Sequence, residues 1–216
     1  MRNLSNIKML PLFAMLSMFV LSFANCMGFN ISGFVIPVGV IFFFINKAIE
    51  KESDEKSGLD IKHLRSNLKD RRIWIWILLP LLINVINVSI SKTFLPEYIE
   101  YETTRAGAFV SIELSVQSAL LFLVFALGEE IAWRAFFQKQ LGKVLHIVPV
   151  ILFTSLLFTV GHFKSGDLSL VMYGMIFTFI NSCLYAIVFY KTNNAWVSTL
   201  AHYLANMFEV LLYVML

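Results

Sequence analysis

The sequence predicts an all-α fold, a polytopic membrane helical bundle of about seven transmembrane helices. Three observations lead there. Of the 216 residues, 58% are apolar and only 14% are charged, where a soluble domain carries about a quarter charged residues. The mean hydropathy is +0.76. Several apolar runs reach the roughly twenty residues that a helix needs to cross a bilayer core about 30 Å thick. The net charge of +3 does not point to nucleic acid, because the basic residues flank apolar runs, so no nucleic-acid partner is expected. Cys26 and Cys183 both fall in apolar segments and read as buried thiols, not as a disulfide framework.

The elements follow in chain order. A short basic start containing Arg2 and Lys8 leads into a first span at about 9–27, and Gly28 and Asn30 supply the turn to a second at about 30–49. The first run lacks a small-residue cleavage site and is read as a retained span. Residues 50–72 are the one clearly soluble stretch. Within it Ile61, Leu64 and Leu68 recur at helical spacing among Lys62, Arg65 and Lys69, which suits either a helix on the membrane surface or a solvated linker helix. A third span at 73–95 opens with Trp74 and Trp76 at interfacial depth. It carries Asn84 and Asn87, i and i+3, placed to hydrogen-bond to a neighbouring helix.

A polar loop is expected over 96–107. The fourth span starts near Phe109 and runs through an acidic pair towards Gln140. Gly142 and Pro149 mark the connection to a fifth span ending at His162 and Phe163. The sixth covers 168–190, and a tight polar turn at 191–194 precedes the seventh. Arg2, Lys8, the clusters within 47–72, Arg134, Lys139, Lys143 and Lys191 fall on one side, and Lys92, Arg105 and Lys164 on the other. The positive-inside rule then places the N-terminus and the 50–72 loop in the cytoplasm and the C-terminus outside. The expectation is a multi-pass protein of a bacterial plasma membrane, with the lipid bilayer as its surroundings.

The polar residues inside these spans carry the functional reading. Glu129, Glu130 and Arg134 follow directly on an apolar run that ends at Ala126. On a helix Glu130 and Arg134 are i and i+4 and share a face, so they are expected to form a structural ion pair. Glu129 lies about 100° round the helix and is left to act elsewhere, as a base. The bland alternative is a helix end reaching water, with three charges at the headgroups. Two later spans add His162, then His202 and Asn206, which are again i and i+4, with Glu209 extending that face. A lone histidine in an apolar helix is commonly a packing residue; several ionisable groups at membrane depth in one small domain mark function.

At about 1.5 Å per residue, Glu129 lies about 16 Å in from Gln140, His202 about 12 Å from Asn194 and His162 about 21 Å from Pro149. All three fall in a middle slab and can converge. A carboxylate there can take a proton from water. One histidine can hold that water or protonate the leaving amine, and the other, with Asn206, can donate to the oxyanion. No Gly-x-Ser-x-Gly elbow and no His-Glu-x-x-His motif occurs.

Glu129-Glu130-x-x-x-Arg134, Phe158-x-x-x-His162 and His202-x-x-x-Asn206, in that order on successive helices, resemble the CPBP family of CAAX proteases and bacteriocin-processing or self-immunity enzymes. The resemblance covers about residues 110–212. It divides the chain into N-terminal transmembrane helices, 1–108, and a catalytic core, 109–216. It implies an intramembrane endopeptidase acting on a membrane-associated peptide or protein, with Glu129 as water-activating base and His162 as its partner. It further implies His202 and Asn206 as the oxyanion site. Ala135 departs from the pattern, since many members have Gly after the arginine.

Two mechanisms use these residues. In one Glu129, His162 and His202 ligate zinc; in the preferred one no cofactor is needed and Glu129 deprotonates the water itself. Two other function classes stand beside the enzyme. One is a non-enzymatic membrane immunity or accessory protein that binds a partner; the other is a small transporter using the carboxylates as a proton relay. The intact motif set argues against the former, and the lack of a repeated half with matching broken helices against the latter.

Overall fold

Apolar runs bounded by turn residues become helices throughout the computed structural model, which describes residues 7–107 and 115–215. Helix α1 is Met9–Ser22, α2 Val35–Glu50, α3 Arg71–Phe94, α4 Glu97–Gly107, α5 Val116–Glu130, α6 Ile147–Gly161, α7 Leu168–Thr192 and α8 Ala195–Val214. A π-helical segment, Ile131–Gln138, and a last turn, Lys139–Leu141, prolong α5. No strand occurs among the described residues. Among the described residues, four stretches are long and apolar enough to cross a membrane: Ser32–Glu50, Arg71–Phe94, Leu168–Thr192 and Ala195–Val214. The shorter apolar helices α1 and α6, with α5 and its extension, complete a polytopic bundle. The expected start of the fourth span near Phe109, and Arg2, lie outside the described residues.

Short polar side chains start α3, α5, α7 and α8. Asp70 accepts from Arg72 N, Ser115 from Ser118 N, Asp167 from Ser169 N and Leu170 N, and Asn194 from Trp196 N. Each satisfies backbone donors that a helix's first turn leaves unpaired. Gly28, at φ 86°, makes the turn after the first span, because a residue without Cβ adopts that backbone freely.

Hydrogen bonds tie the loops together at the two ends of the bundle. At one end the 50–72 loop meets the 191–195 turn: Asn194 Nδ2 donates to Asp60 O (2.7 Å) and Asn67 Oδ1 (3.1 Å), and Ala195 N to Gly58 O (2.7 Å). Lys139 Nζ joins the same end through Glu52 (3.2 Å) and the Lys56 carbonyl. His63 Nδ1 donates to Asp60 Oδ2 (2.7 Å). That bond holds the Asp60 carboxyl below its ordinary range and raises His63 above its own. At the opposite end Asn25 Nδ2 donates to Phe163 O (3.0 Å) and Ser32 Oγ to Gly161 O (2.9 Å).

Several expectations are corrected. Residues 96–107 are not a loop: α4 starts directly after Pro96, a residue suited to a helix's first turn. Glu97 and Glu100 sit in its first turn, where the helix dipole favours negative charge. Its Tyr98 packs edge-on against Tyr173 at 4.7 Å. Ile61, Leu64 and Leu68 do not share a surface helix. Only Leu64–Asn67 is helical, Ile61 is exposed, and Leu64 and Leu68 pack on the cluster of α3, α7 and α8. Burial against that cluster holds them better than an amphipathic surface position would. Cys26 is exposed and Cys183 only partly buried. Arg134 is fully buried and does not belong in the count of loop charges. The expected bond from the third span to its neighbours is made by Asn84, which donates to Ala205 O (3.0 Å) and accepts from Asn181 Nδ2 (2.9 Å). Asn87 offers only its backbone carbonyl, to Tyr173 OH (2.6 Å).

Candidate functional site

Glu129 and Glu130 close α5, and the chain then enters the π-helical segment. Its bonds run from i to i+5 instead of i to i+4, and such segments recur at functional sites. All eight of its residues are buried; its two polar members, Arg134 and Gln138, bond to Ser182 and to the Ala186 carbonyl of α7. Trp133 and Phe137 pack at 5.4 Å with their rings tilted by 52°, and Trp133 meets Phe158 of α6 edge-on at 6.1 Å. On the other side α2 approaches so closely that a Cβ added at Gly39 would lie 2.5 Å from Ala132 Cβ. This packing fixes the position of the acidic pair. Ala135, where the family resemblance leads to Gly, is buried at 2% exposure.

Glu130 and Arg134 are both 0% exposed, with Arg134 Nε 3.3 Å from Glu130 Oε2. Neither atom makes a well-aligned hydrogen bond, so the contact is an ion pair by distance. Arg134 Nη2 donates to Ser182 O (3.3 Å) and Oγ (3.1 Å), and the guanidinium lies 5.1 Å from the Phe158 ring centre. The second carboxylate oxygen of Glu130 accepts from His202 Nδ1 at 3.1 Å. Charges buried this deeply persist only when paired and hydrogen-bonded. The alternative of three charges at the headgroups does not hold for this pair.

Glu129 points into a different setting. Its Oε1 lies 3.7 Å from His162 Nε2 and its Oε2 3.6 Å from His202 Nε2. The two rings are held from behind: His162 Nδ1 donates to Phe158 O (2.8 Å), and His202 Nδ1 to Glu130. Both Nε2 atoms are thereby aimed at one carboxylate. His162 caps the end of α6 and is half-buried, while His202 lies within α8 and is 5% exposed. The structure therefore brings Glu129, His162 and His202 together. Asn206 lies one turn beyond His202 on the same face of α8 and is partly buried. Glu209 accepts from Tyr213 OH at 2.9 Å, two turns along.

Aromatic rings line the histidines. Phe158 lies 4.3 Å from His162, and Tyr185 of α7 stacks on His202 at 4.4 Å with the planes 15° apart. Tyr185 and Ser182 are absent from the sequence reading. The weak signal for them is Asn181-Ser182 inside an otherwise apolar span, with Tyr185 one turn on. Among the described residues no group of three His, Cys, Asp or Glu is arranged to hold a metal ion.

Such a site, a carboxylate between two oriented imidazoles in a mostly apolar enclosure, is suited to moving a proton from water to a leaving group. Residues 111–208, which contain every residue of it, match the family described as type II CAAX prenyl endopeptidase Rce1-like. No curated protein and no solved structure matches the chain.

Proposed function

Because residues 111–208 match the Rce1-like type II CAAX prenyl endopeptidases, we propose that the chain hydrolyses a peptide bond of a membrane-associated peptide or protein within the bilayer. The observation that carries this is the Glu129 carboxylate lying 3.6–3.7 Å from two imidazole nitrogens. Separations beyond hydrogen-bond length between polar groups suit a bridging water. Glu129 takes a proton from that water, and the hydroxide adds to the scissile carbonyl. His162, fixed by the Phe158 carbonyl, holds the water and returns the proton to the leaving amine. His202 and Asn206 donate to the oxyanion. In that step His202 donates from Nε2 to the oxyanion and from Nδ1 to Glu130, whose carboxylate balances the charge of a ring protonated on both nitrogens.

The reaction as proposed needs no cofactor. A zinc mechanism would take Glu129, His162 and His202 as ligands and require a separate carboxylate base. Glu130, the nearest other carboxylate, is engaged by Arg134 and His202, and a neighbouring positive charge makes a poor base of it. One zinc per chain, lost with activity and restored with it, would replace this mechanism. In this reading it serves CAAX-type processing, or bacteriocin maturation or self-immunity, in a bacterial plasma membrane with the 50–72 loop in the cytoplasm.

The test is mass spectrometry of a farnesylated CAAX peptide and of bacteriocin-precursor peptides after incubation with purified wild type and Glu129→Gln. Cleavage of any of them by wild type alone supports the reading. Equal product from both proteins, or binding without product, favours the non-enzymatic partner-binding alternative.

A further inference from the structure

Two constraints are needed to aim an imidazole nitrogen. The bond from His202 Nδ1 to Glu130 (3.1 Å) sets one direction in the ring plane, but the ring can still turn about that axis and carry Nε2 away from Glu129. What opposes the turn is the packing of two aromatic rings against it. Tyr185, only 3% exposed, lies nearly parallel to His202 at 4.4 Å, and Phe158 stands edge-on to it at 6.1 Å and 68°. Tilting the imidazole would drive its edge into the Tyr185 ring, and aromatic contacts of this kind hold preferred geometries.

Tyr185 is itself held in register. One turn earlier on α7, Ser182 accepts from Arg134, the other partner of Glu130. Asn181 donates to Asn84, which donates on to the Ala205 carbonyl of α8, three residues past His202. A single turn of α7 thus supports both neighbours of Glu130 and fixes α7 against α8 at the level of the stack.

We propose that Tyr185 is a positioning residue: its ring, not its hydroxyl, holds the His202 imidazole in the plane that directs Nε2 at Glu129. The inference rests on the endopeptidase reading for its kinetic consequence only; the geometric claim stands apart from it. The test compares Tyr185→Phe with Tyr185→Met, and with Tyr185→Leu should the methionine variant not fold. An internally quenched farnesylated CAAX peptide reads activity, and ¹⁵N spectra of histidine-labelled protein read the His202 nitrogens.

The phenylalanine variant should keep kcat within about threefold and the wild-type His202 signals. The ring-less variant should lose about 100-fold in kcat, the scale for a group misplaced by about 1 Å. Its KM should stay little changed, and its His202 nitrogen signals should move away from their wild-type positions. Wild-type signals in the ring-less variant, with or without a fall in kcat, overturn the proposal, as does a phenylalanine variant as impaired as the methionine one. If wild type leaves the peptide intact, the endopeptidase reading fails by itself, and the nitrogen spectra still decide the role of Tyr185.

Discussion

Glu129 and Glu130 are adjacent in sequence and differ in everything around them. Glu130 is fully enclosed and shared between Arg134 and His202, whereas Glu129 keeps 14% of its side chain exposed and faces two Nε2 atoms at 3.6–3.7 Å. Glu129→Gln should therefore leave the unfolding temperature nearly unchanged while product formation disappears. Glu130→Gln should lower stability, since removing one partner of a buried pair costs about 3–5 kcal/mol, and should slow cleavage as well by releasing His202 Nδ1. Thermal unfolding measured alongside cleavage separates the two. A Glu130→Gln protein with wild-type stability and no activity would contradict its structural role. The division between the two carboxylates was legible from the i,i+4 spacing of Glu130 and Arg134. The bond from His202 to Glu130 was not, because 72 residues separate them and no local pattern encodes it. Tyr185 gave no warning for the same reason, since an aromatic in an apolar span reads as core.

At the scale of the element, the least legible feature is the π-helical segment Ile131–Gln138. Its sequence, Ile-Ala-Trp-Arg-Ala-Phe-Phe-Gln, carries Arg134 and Gln138 four apart, which reads as an ordinary amphipathic α-helix and gives no sign of the wider π turn. The small residues that let neighbours close in are visible only once they meet. Gly39 of α2 faces Ala132, and a Cβ there would sit 2.5 Å from Ala132 Cβ and 2.9 Å from its Cα. Both obstacles are rigid. Gly39→Ala should therefore force α2 away from the segment that carries Glu130 and Arg134, at about 1–3 kcal/mol for overpacking. Gly33→Ala, where nothing lies within 4 Å of the added atom, is the matched control. Denaturation of both variants in the same detergent checks this, and equal stability would show that α2 does not constrain the segment. The helical bundle itself, by contrast, was readable from composition, because length and apolarity set by the bilayer leave few alternatives, although α1 ends at Ser22 and α2 starts at Val35, inside the expected limits of 9–27 and 30–49. Helix α4 escaped because its stripe, centred on Tyr98 and Tyr101, is narrow and set among glutamates.

Across the whole molecule, two sets of contacts sort the loops. Asp60, Asn67 and Gly58 are bonded to the Asn194–Ala195 turn, and Lys139 reaches Glu52, so the 50–72 loop, the end of the α5 extension and the α7–α8 turn share one end. Asn25 and Ser32 are bonded to Phe163 and Gly161, so the α1–α2 and α6–α7 connections share the other. This is the alternation that an odd number of spans requires, and it groups Lys47, Lys51, Lys56, Lys62, Arg65, Lys69, Arg71, Arg72, Lys139 and Lys191 at one end against Lys92 and Lys164 at the other. A bias of that size orients a protein with its basic end in the cytoplasm. Cys26 and Cys183 are first replaced by serine, because Cys26 is exposed and would react itself. Single cysteines then go to Glu55 and Thr104, exposed residues of the 50–72 loop and of α4. In intact cells an impermeant maleimide should label the Thr104 site and reach the Glu55 site only after the membrane is opened. Labelling of both sites from outside would break the alternation, and the reverse pattern would keep the bundle while turning it over.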